Sequence, residues 1–380
     1  MRTLVVLALI SSGCSKLLGI SDPGGKGGPD APKGDAGDSM DGSSDDLSPC
    51  TPPPGFATPV TYPLSGTPAL MTTGDFNHDG KQDVAVALTT KILILHGDGS
   101  GKLGTPQELP FAATGVIGDD FNEDGFDDLI LWTVGGSSVT LGAQDPQNAG
   151  TFLTEQPLPG PFSHLQQVKE GLLDGNAVPD VITQDEVELR VYTADRLFPG
   201  TFDKEDLIGM TGDRVIQLAD FNNQGRDDIA FYATDGQVKI APQVNGVMFG
   251  TPVGVASPAT LSAAGFGHFD AGGTFELVVA TPTGGTLFRQ TAKGSLATFT
   301  QVAGTLADVT GSTLQIADVD GDGLDDIVVG AGIIRQASAG TFAPLAACPT
   351  KSSTLFRDLN NNGKPELLRI VGSTLEVRIQ

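Results

Sequence analysis

Apolar and polar residues alternate in short runs along most of this chain. In the first such region the runs ALMTTGDF, DVAVAL and KILILHG are rich in strand-forming residues and show no 3.6-residue period. Segments rich in Gly, Asp and Asn separate the runs and predict turns. The pattern therefore predicts an all-β chain of many short strands.

One polar motif of ten residues recurs between these runs. It appears as DFNHDGKQDV at 75–84 and returns as DFNEDGFDDL, DFNNQGRDDI, DVDGDGLDDI and DLNNNGKPEL, starting at residues 120, 220, 318 and 358. Two worn copies, LLDGNAVPDV and HFDAGGTFEL, start at residues 172 and 268. A recurrence every 40 to 52 residues is typical of four-stranded propeller blades.

A second repeat, out of phase with the first, supplies the last strand of each unit. Its seven copies are FATPVTYPL, KLGTPQELPF, GTFLTEQPLP, GTFDKEDLIG, MFGTPVGVAS, ATFTQVAGTL and GTFAPLAACP. The seventh motif is followed by only two strand-like runs, so the last unit lacks a strand, while FATPVTYPL before the first motif is spare. We therefore expect a seven-bladed β-propeller of four-stranded blades, closed by the N-terminal strand completing the last blade.

The spacing of oxygen atoms in the motif predicts a metal loop. Oxygen-bearing side chains stand at positions one, three, five and nine with glycine at six, which is nearly the spacing of an EF-hand calcium loop, although strands flank it here. Asp, Asn and Gly also favour turns that bind no metal, and this remains the alternative for each loop. Of the histidines, His78 and His96 are expected to be exposed and without a role.

The repeated loops resemble the FG-GAP (VCBS-type) family, the calcium-loop blades of integrin α-subunit propellers and many bacterial surface proteins. The resemblance covers residues 51–380, although the literal Phe-Gly-Gly-Ala-Pro signature is absent and FGTP at 249–252 is its nearest counterpart. It implies calcium bound by the four oxygen-bearing side chains and the carbonyl of position seven. The three full sites so implied are Asp75, Asn77, Asp79, Lys81 and Asp83; Asp120, Asn122, Asp124, Phe126 and Asp128; and Asp318, Asp320, Asp322, Leu324 and Asp326.

The other four loops depart from the pattern. The fourth has an amide at position five and is expected to bind more weakly, through Asp220, Asn222, Gln224, Arg226 and Asp228. The seventh has two amides and a longer acid, and its occupancy is left open at Asp358, Asn360, Asn362, Lys364 and Glu366. The third and fifth begin with Leu172 and His268, so we expect turns that keep the shape without a metal. Three calcium ions are thus expected, and up to five.

The N-terminus carries an export signal. Arg2, a short apolar run and small residues precede Cys14, which resembles a bacterial lipoprotein signal, with a plain secretory signal as the alternative. We expect residues 1–13 to be removed, Cys14 to be lipidated and residues 14–50 to form a disordered acidic tether. Cys50 and Cys348 fall beside neighbouring blades of the expected ring, so a disulfide between them is one expectation, and two unpaired thiols are the alternative.

Charge and missing motifs narrow the function. A net charge of −24 argues against nucleic acid or an anionic membrane surface as partner, apart from the lipid anchor. No HExxH, GxSxG or phosphate loop is present. We expect a non-catalytic, calcium-binding lipoprotein on the bacterial outer membrane or cell surface, whose propeller serves in adhesion to a protein or glycan. The alternative is a polysaccharide lyase or glycosidase using acids among Glu108, Glu155, Glu186 and Glu188.

Overall fold

The computed structural model describes residues 55–380 except 154–155, 161, 186–187, 195–200, 208–212, 246–247, 259, 271, 298, 303–305, 339 and 348–353, and the side chains of 203–207. The expected signal, the tether, the lipidation site Cys14, both disulfide candidates Cys50 and Cys348, and the acids Glu155 and Glu186 therefore lie outside the described residues. In the described part the chain forms strands and no helix, so it contains no helix long and apolar enough to cross a membrane.

The strands form seven four-stranded antiparallel sheets, which are the seven predicted blades. Strand β1 is Val60–Pro63. Blades 1 to 3 consist of β2 (Pro68–Gly74), β3 (Asp83–Leu88), β4 (Lys91–Leu95) and β5 (Gln107–Leu109); β6 (Gly115–Asp119), β7 (Asp128–Trp132), β8 (Val139–Gly142) and β9 (Gln156–Pro157); and β10 (Gln167–Gly171), β11 (Asp180–Gln184), β12 (Leu189–Ala194) and β13 (Phe202–Leu207).

Blades 4 and 6 each carry an additional two-stranded hairpin between their third and fourth strands. Blade 4 consists of β14 (Arg214–Ala219), β15 (Asp228–Tyr232), β16 (Val238–Ala241), the hairpin β17 (Gln243–Asn245) and β18 (Met248–Phe249), and β19 (Val253–Ala256). Blade 5 has β20 (Ala263–Gly267), β21 (Glu276–Thr281), β22 (Gly284–Gln290) and β23 (Phe299–Gln301). Blade 6 has β24 (Leu314–Ala317), β25 (Asp326–Val329), β26 (Gly332–Ile334), the hairpin β27 (Gln336–Ser338) and β28 (Thr341–Phe342), and β29 (Ala346–Ala347).

Blade 7 confirms the predicted closure. Its own strands are β30 (Thr354–Arg357), β31 (Glu366–Val371) and β32 (Thr374–Arg378), and β1 supplies the fourth. β1 runs antiparallel to β32, with Val60 opposite Val377 and Pro63 opposite Thr374. The chain therefore joins its two ends within one sheet and covers the edge that blade 7 would otherwise leave open.

The core lies between neighbouring blades. Every residue of β3 and of β7 is buried, because each of these strands is covered on both faces by adjacent sheets. One apolar cluster joins Phe76, Ala85 and Ile92 of blade 1 to Val116 and Leu129 of blade 2. Each blade thus depends on its neighbours to bury its apolar faces.

All seven predicted loops join the first strand of a blade to the second, and their second residue anchors them in this core. The anchors are at most 1% exposed: Phe76, Phe121, Leu173, Phe221, Phe269, Val319 and Leu359. The connections between third and fourth strands lie on the same side of the ring, which we call the loop face. The opposite face carries the turns between second and third strands, such as the two-residue turns at 89–90 and 372–373, and also the longer connections from one blade to the next, such as the one from β9 to β10.

Aspartates at loop position eight join the blades in pairs. Asp127, Asp227 and Asp325, in loops two, four and six, accept hydrogen bonds from the backbone N–H of position one in the preceding loop, at 2.5, 2.9 and 2.6 Å. The residue before each of those preceding loops is glycine. A Cβ added to Gly74, Gly171 or Gly267 would lie 2.7–2.8 Å from the same carboxylate.

Glutamines make a second contact between blades. The Nε2 groups of Gln243, Gln290 and Gln336 donate to the position-two carbonyl of the preceding blade's loop, at 2.6, 2.9 and 2.5 Å. Gln380 reaches the Val319 carbonyl at 3.0 Å with its amide in the orientation that satisfies both of its polar atoms. The loops are therefore part of the joints between blades as well as turns within them.

Candidate metal centres

The loops other than the third share a left-handed glycine at position six, whereas the third loop has Ala177 at that position without a positive φ. Position four has a positive φ, between 56° and 59° at His78, Glu123, Asn223 and Asn361. The glycine at position six is also left-handed, for example Gly125 at φ 86° and Gly225 at φ 79°. L-residues adopt this region at a cost, so glycine at position six lets the turn form without that cost.

The carboxylate at position one organises the loop. Asp75 accepts the backbone N–H of Asp79 at 2.9 Å and that of Gly80 at 2.8 Å. Its counterparts Asp120, Asp220 and Asp358 accept from the same two positions. This carboxylate therefore holds the turn closed by accepting the N–H groups of positions five and six.

The carboxylate at position nine is buried at the base of the loop. Asp128 and Asp228 are 0% exposed and Asp326 is 1% exposed. In all three, one oxygen accepts the backbone N–H of the glutamine that follows the third strand, at 2.8, 2.7 and 2.5 Å. Burial, reinforced by neighbouring loop carboxylates, raises the pKa of Asp128 to about 8 and the pKa values of Asp228 and Asp326 to about 7.

Two observations fit the second and sixth loops to a cation. Oδ2 of Asp128 is buried and makes no hydrogen bond, which leaves an unsatisfied acceptor at position nine. In the sixth loop, oxygens of Asp318, Asp320 and Asp326 lie within 4.8 Å of one another. Oxygens that share a calcium ion at 2.3–2.6 Å lie at most about 5 Å apart, so this grouping suits calcium.

The first loop holds protein cations beside its carboxylates. Lys81 Nζ lies 3.1 Å from Asp79, and His96 Nδ1 lies 3.0 Å from Asp83. The expectation that His96 is an exposed bystander was wrong, because its ring is partly buried between Asp83 and Gln107, and the hydrogen bond to Asp83 raises its pKa. His78 is exposed, as expected, and stacks on Phe126 with ring centroids 4.0 Å apart.

In the fourth and seventh loops an amide contacts the position-nine acid. Asn222 Nδ2 donates to Asp228 at 2.9 Å, and Asn360 Nδ2 donates to Glu366 at 2.7 Å. Asn222 Oδ1 is buried without a hydrogen bond. These loops therefore satisfy part of their carboxylate charge with amide hydrogens, and the weaker binding expected of the fourth loop stays a prediction.

The third loop has neither an acid at position one nor a glycine at position six, and its position-nine acid holds it instead. Asp180, at position nine, accepts the backbone N–H groups of Leu173 and Asp174 at 2.8 and 3.0 Å, and burial raises its pKa to about 7. Gly175 at position four takes the left-handed conformation, with φ 80°.

The fifth loop is held by two nitrogen-bearing side chains. His268 Nδ1 lies 2.9 Å from the Thr274 carbonyl, which is the position-seven oxygen. Arg289 Nε lies 2.8 Å from Glu276 and 3.4 Å from Asp270. Sequence reasoning missed Arg289, as it missed Arg335, which pairs with Asp320 in the sixth loop. The sequence feature that could have revealed both arginines is the Arg-Gln pair at the end of the third strand-like run of blades 5 and 6.

The acids considered for glycosidase chemistry are engaged in ion pairs where the structure describes them. Glu108 lies 2.5 Å from Lys91 Nζ on the outer strands of blade 1. Glu188 pairs with Arg190, whose guanidinium also lies 2.8 Å from the buried Asp185.

Residues 268–329 match the FG-GAP-like repeat family, a segment that spans the fifth and sixth loops. A lectin from Agrocybe aegerita, described as specifically recognising non-reducing terminal N-acetylglucosamine, has a similar structure, with 15% identity, 83% of this chain and 86% of that chain covered, and a TM-score of 0.60. BBS1N, solved in complex with ARL6DN, aligns at 12% identity over 85% of this chain and 96% of that chain, with a TM-score of 0.52. These likenesses are to the fold. No curated protein sequence matches significantly.

Proposed function

We propose that this FG-GAP-repeat β-propeller is a non-catalytic binding module that uses calcium to fix its loop face and presents that face to a protein or glycan. The observation that supports this most directly is the asymmetry of the ring. The metal loops and both additional hairpins lie on the loop face, whereas the turns between second and third strands on the opposite face are short. Three of the four large apolar side chains that are exposed in the described residues, Leu153, Val244 and Met248, also lie in loop-face connections.

Calcium suits this role because the loops present carboxylate, amide and carbonyl oxygens to a hard cation. In the second loop the residues that would hold it are Asp120, Asn122, Asp124 and Asp128, with the carbonyl of Phe126. The ion would neutralise carboxylates that now lie close together, and it would hold the hydrogen-bonded loop in one conformation. The expected location outside the cell, on a lipid anchor at Cys14, would expose the loops to millimolar calcium.

The partner is tested by binding with and without calcium. The purified chain would be applied to a glycan array and used to capture proteins from cell-surface extracts, in calcium and in chelator. Non-reducing terminal N-acetylglucosamine is a first glycan to test, because the similar lectin recognises it. A double variant, Val244→Ser with Met248→Ser, alters the exposed hairpin of blade 4 without touching a loop acid, and we expect it to weaken capture.

Turnover separates this proposal from a carbohydrate-active enzyme. The same preparation would be incubated with acidic and neutral polysaccharides, and their chain length would be measured. Binding without shortening supports the binding module. A polysaccharide shortened by the wild type but not by a Glu108→Gln or Glu188→Gln variant would overturn it.

A further inference from the structure

In every blade one residue stands opposite loop position nine. In blade 5 the register pairs Glu276 directly with Arg289. In the other blades the register is extended by one residue. For instance, the pairs Val84–Leu95 and Leu129–Gly142 place residues 96 and 143 opposite position nine. We call this opposite residue the facing residue, and in blades 1 to 7 it is His96, Ala143, Thr193, Pro242, Arg289, Arg335 and Ile379.

Opposite residues of an antiparallel pair project from the same side of the sheet, with Cβ atoms about 5 Å apart. A long basic side chain at the facing position can therefore reach the loop acids of its own blade. Three of the seven facing residues carry such a side chain, and each contacts a loop acid: His96 contacts Asp83, Arg289 contacts Glu276, and Arg335 contacts Asp320.

In the fifth loop a basic side chain of the protein itself contacts the acids that would bind a cation. Arg289 Nε lies between position three, Asp270, and position nine, Glu276. The position-seven carbonyl is taken by His268. Positions one and five, His268 and Gly272, offer no side-chain oxygen. The acids at positions three and nine both contact the Arg289 guanidinium.

The second loop shows the opposite arrangement. Its facing residue, Ala143, carries no charge, and Oδ2 of Asp128 is buried without a hydrogen bond. The sixth loop is intermediate, because Arg335 pairs with Asp320 while Asp318 and Asp326 accept backbone N–H groups.

We propose that the facing residue decides where each loop obtains its positive charge. Arg289 is the resident cation of the fifth loop, Arg335 competes with calcium for the sixth, and Ala143 leaves the second loop as the tightest calcium site of the ring. The statements on loops two and six rest on the calcium binding proposed above, whereas the statement on loop five needs no metal. The fifth loop is then stabilised at any calcium concentration, whereas the second and sixth loops depend on calcium.

Thermal unfolding of the purified chain in chelator tests Arg289. Arg289→Gln removes the guanidinium from Asp270 and the buried Glu276, so we expect a lower melting temperature, with part of the loss restored by Arg289→Lys. Lys102→Gln, which removes an exposed positive charge, is the matched control. An Arg289→Gln variant as stable as this control, or one that Arg289→Lys fails to improve on, would overturn the assignment for loop five.

Calcium titration by calorimetry tests loops two and six. Removing the competing charge with Arg335→Gln should raise the affinity of one site about tenfold, since a nearby opposite charge no longer neutralises Asp320. Asp124→Ala in the wild type should remove the tightest site, and Asp322→Ala a weaker one. An unchanged affinity in Arg335→Gln, or a tightest site that survives Asp124→Ala, would overturn the proposal for these loops.

The thermal unfolding and the calcium titration together also separate this inference from the proposed function. If the wild type takes up no calcium at all, the calcium-dependent function fails, and the Arg289 variants still decide the origin of the charge in loop five. If the wild type binds calcium but the Arg335 and Asp124 variants do not behave as stated, only the role of the facing residue fails.

Discussion

A position-nine carboxylate is subject to two opposing effects. Backbone N–H groups stabilise its charged form, whereas burial and the neighbouring loop acids favour the neutral form. Burial prevails, because the pKa is raised to about 8 at Asp128 and to about 7 at Asp228, Asp326 and Glu366. These acids are the sites at which pH and calcium should act on the same stability.

The pH dependence follows from the direction of these shifts. An unfolded Asp carboxyl has a pKa of about 3.9, so between about pH 4 and pH 8 the folded chain binds more protons than the unfolded chain. Stability in chelator should therefore fall as pH rises through that window. Calcium binds the charged carboxylates, so the increase in melting temperature that calcium gives should grow from pH 5 to pH 8.

Asp128→Asn is the matched variant for this experiment, because an amide of the same shape cannot ionise. In chelator its melting temperature should fall less steeply with pH than that of the wild type, and its response to calcium should be smaller. A wild type that becomes more stable in chelator from pH 5 to pH 8 would contradict the expected direction.

At this scale the sequence identifies the oxygen-bearing residues of each loop, but it does not reveal the neighbours of those residues. Positions one, three, five and nine are adjacent in the chain, so their spacing alone places them in one loop. Arg289 and Arg335 meet their loops only through strand pairing, thirteen and nine residues beyond position nine. The prediction for His96 was wrong for the same reason, since its partner Asp83 lies on the neighbouring strand.

At the scale of strands and loops, the contacts between blades alternate. A glycine precedes loops one, three and five, and an aspartate occupies position eight of loops two, four and six. In blades 3 and 4, Leu172 donates its N–H to Asp227 and accepts the N–H of Asp227, both at 2.9 Å. Blades 1 and 2, 3 and 4, and 5 and 6 are thus clamped as pairs. The alternation is visible in the sequence, but its meaning requires knowledge of which loops are neighbours.

Gly171 and Asp227 should be energetically coupled. A Cβ at Gly171 would lie 2.8 Å from the Asp227 carboxylate and 2.9 Å from Leu218, so Gly171→Ala should cost about 1–3 kcal/mol through overpacking. Asp227→Ala should cost about 1–3 kcal/mol, because the buried N–H of Leu172 loses its acceptor. The double variant should be more stable than the sum of the two losses predicts.

Denaturant unfolding of the four proteins in this cycle measures the coupling. Gly104→Ala is the control, since a Cβ there would meet only the His96 carbonyl at 3.4 Å. Strict additivity of the two single changes would show that the Asp227 carboxylate is not what requires glycine at position 171.

At the scale of the whole ring, the blade count and the closure were predictable because both depend on counting repeats rather than on side-chain packing. Only two strands follow the seventh loop, and one spare strand precedes the first loop. A blade formed from both accounts for these two observations. The order of the strands in blade 7 confirms this. The two hairpins of blades 4 and 6 could not be predicted in the same way, since their short strands pair within a connection that reads as polar loop.

Calcium should stabilise the ring as a whole. If each full site binds with a dissociation constant of ~10⁻⁴–10⁻³ M, millimolar calcium adds about 0.4–1.4 kcal/mol per occupied site. For three sites in a domain of this size the melting temperature should rise by about 2–6 °C. Combining Asp79→Ala, Asp124→Ala and Asp322→Ala should remove most of that response. A wild-type melting curve unchanged by chelator would contradict calcium binding at these loops.

The closing strand should be essential to the ring. β1 makes four residue pairs with β32, and the Tyr62 hydroxyl accepts the backbone N–H of Leu103 in blade 1 at 2.8 Å. Deleting residues 51–63 removes these bonds and leaves β32 as an open edge, which should cost about 2–4 kcal/mol at a net 0.5–1.5 kcal/mol for each hydrogen bond. Deleting residues 15–50 instead removes only the expected tether and should leave stability unchanged. Urea unfolding, followed by the fluorescence of the buried Trp132, compares the two deletions with the intact chain. Equal stability of all three would mean that blade 7 holds the ring without its fourth strand.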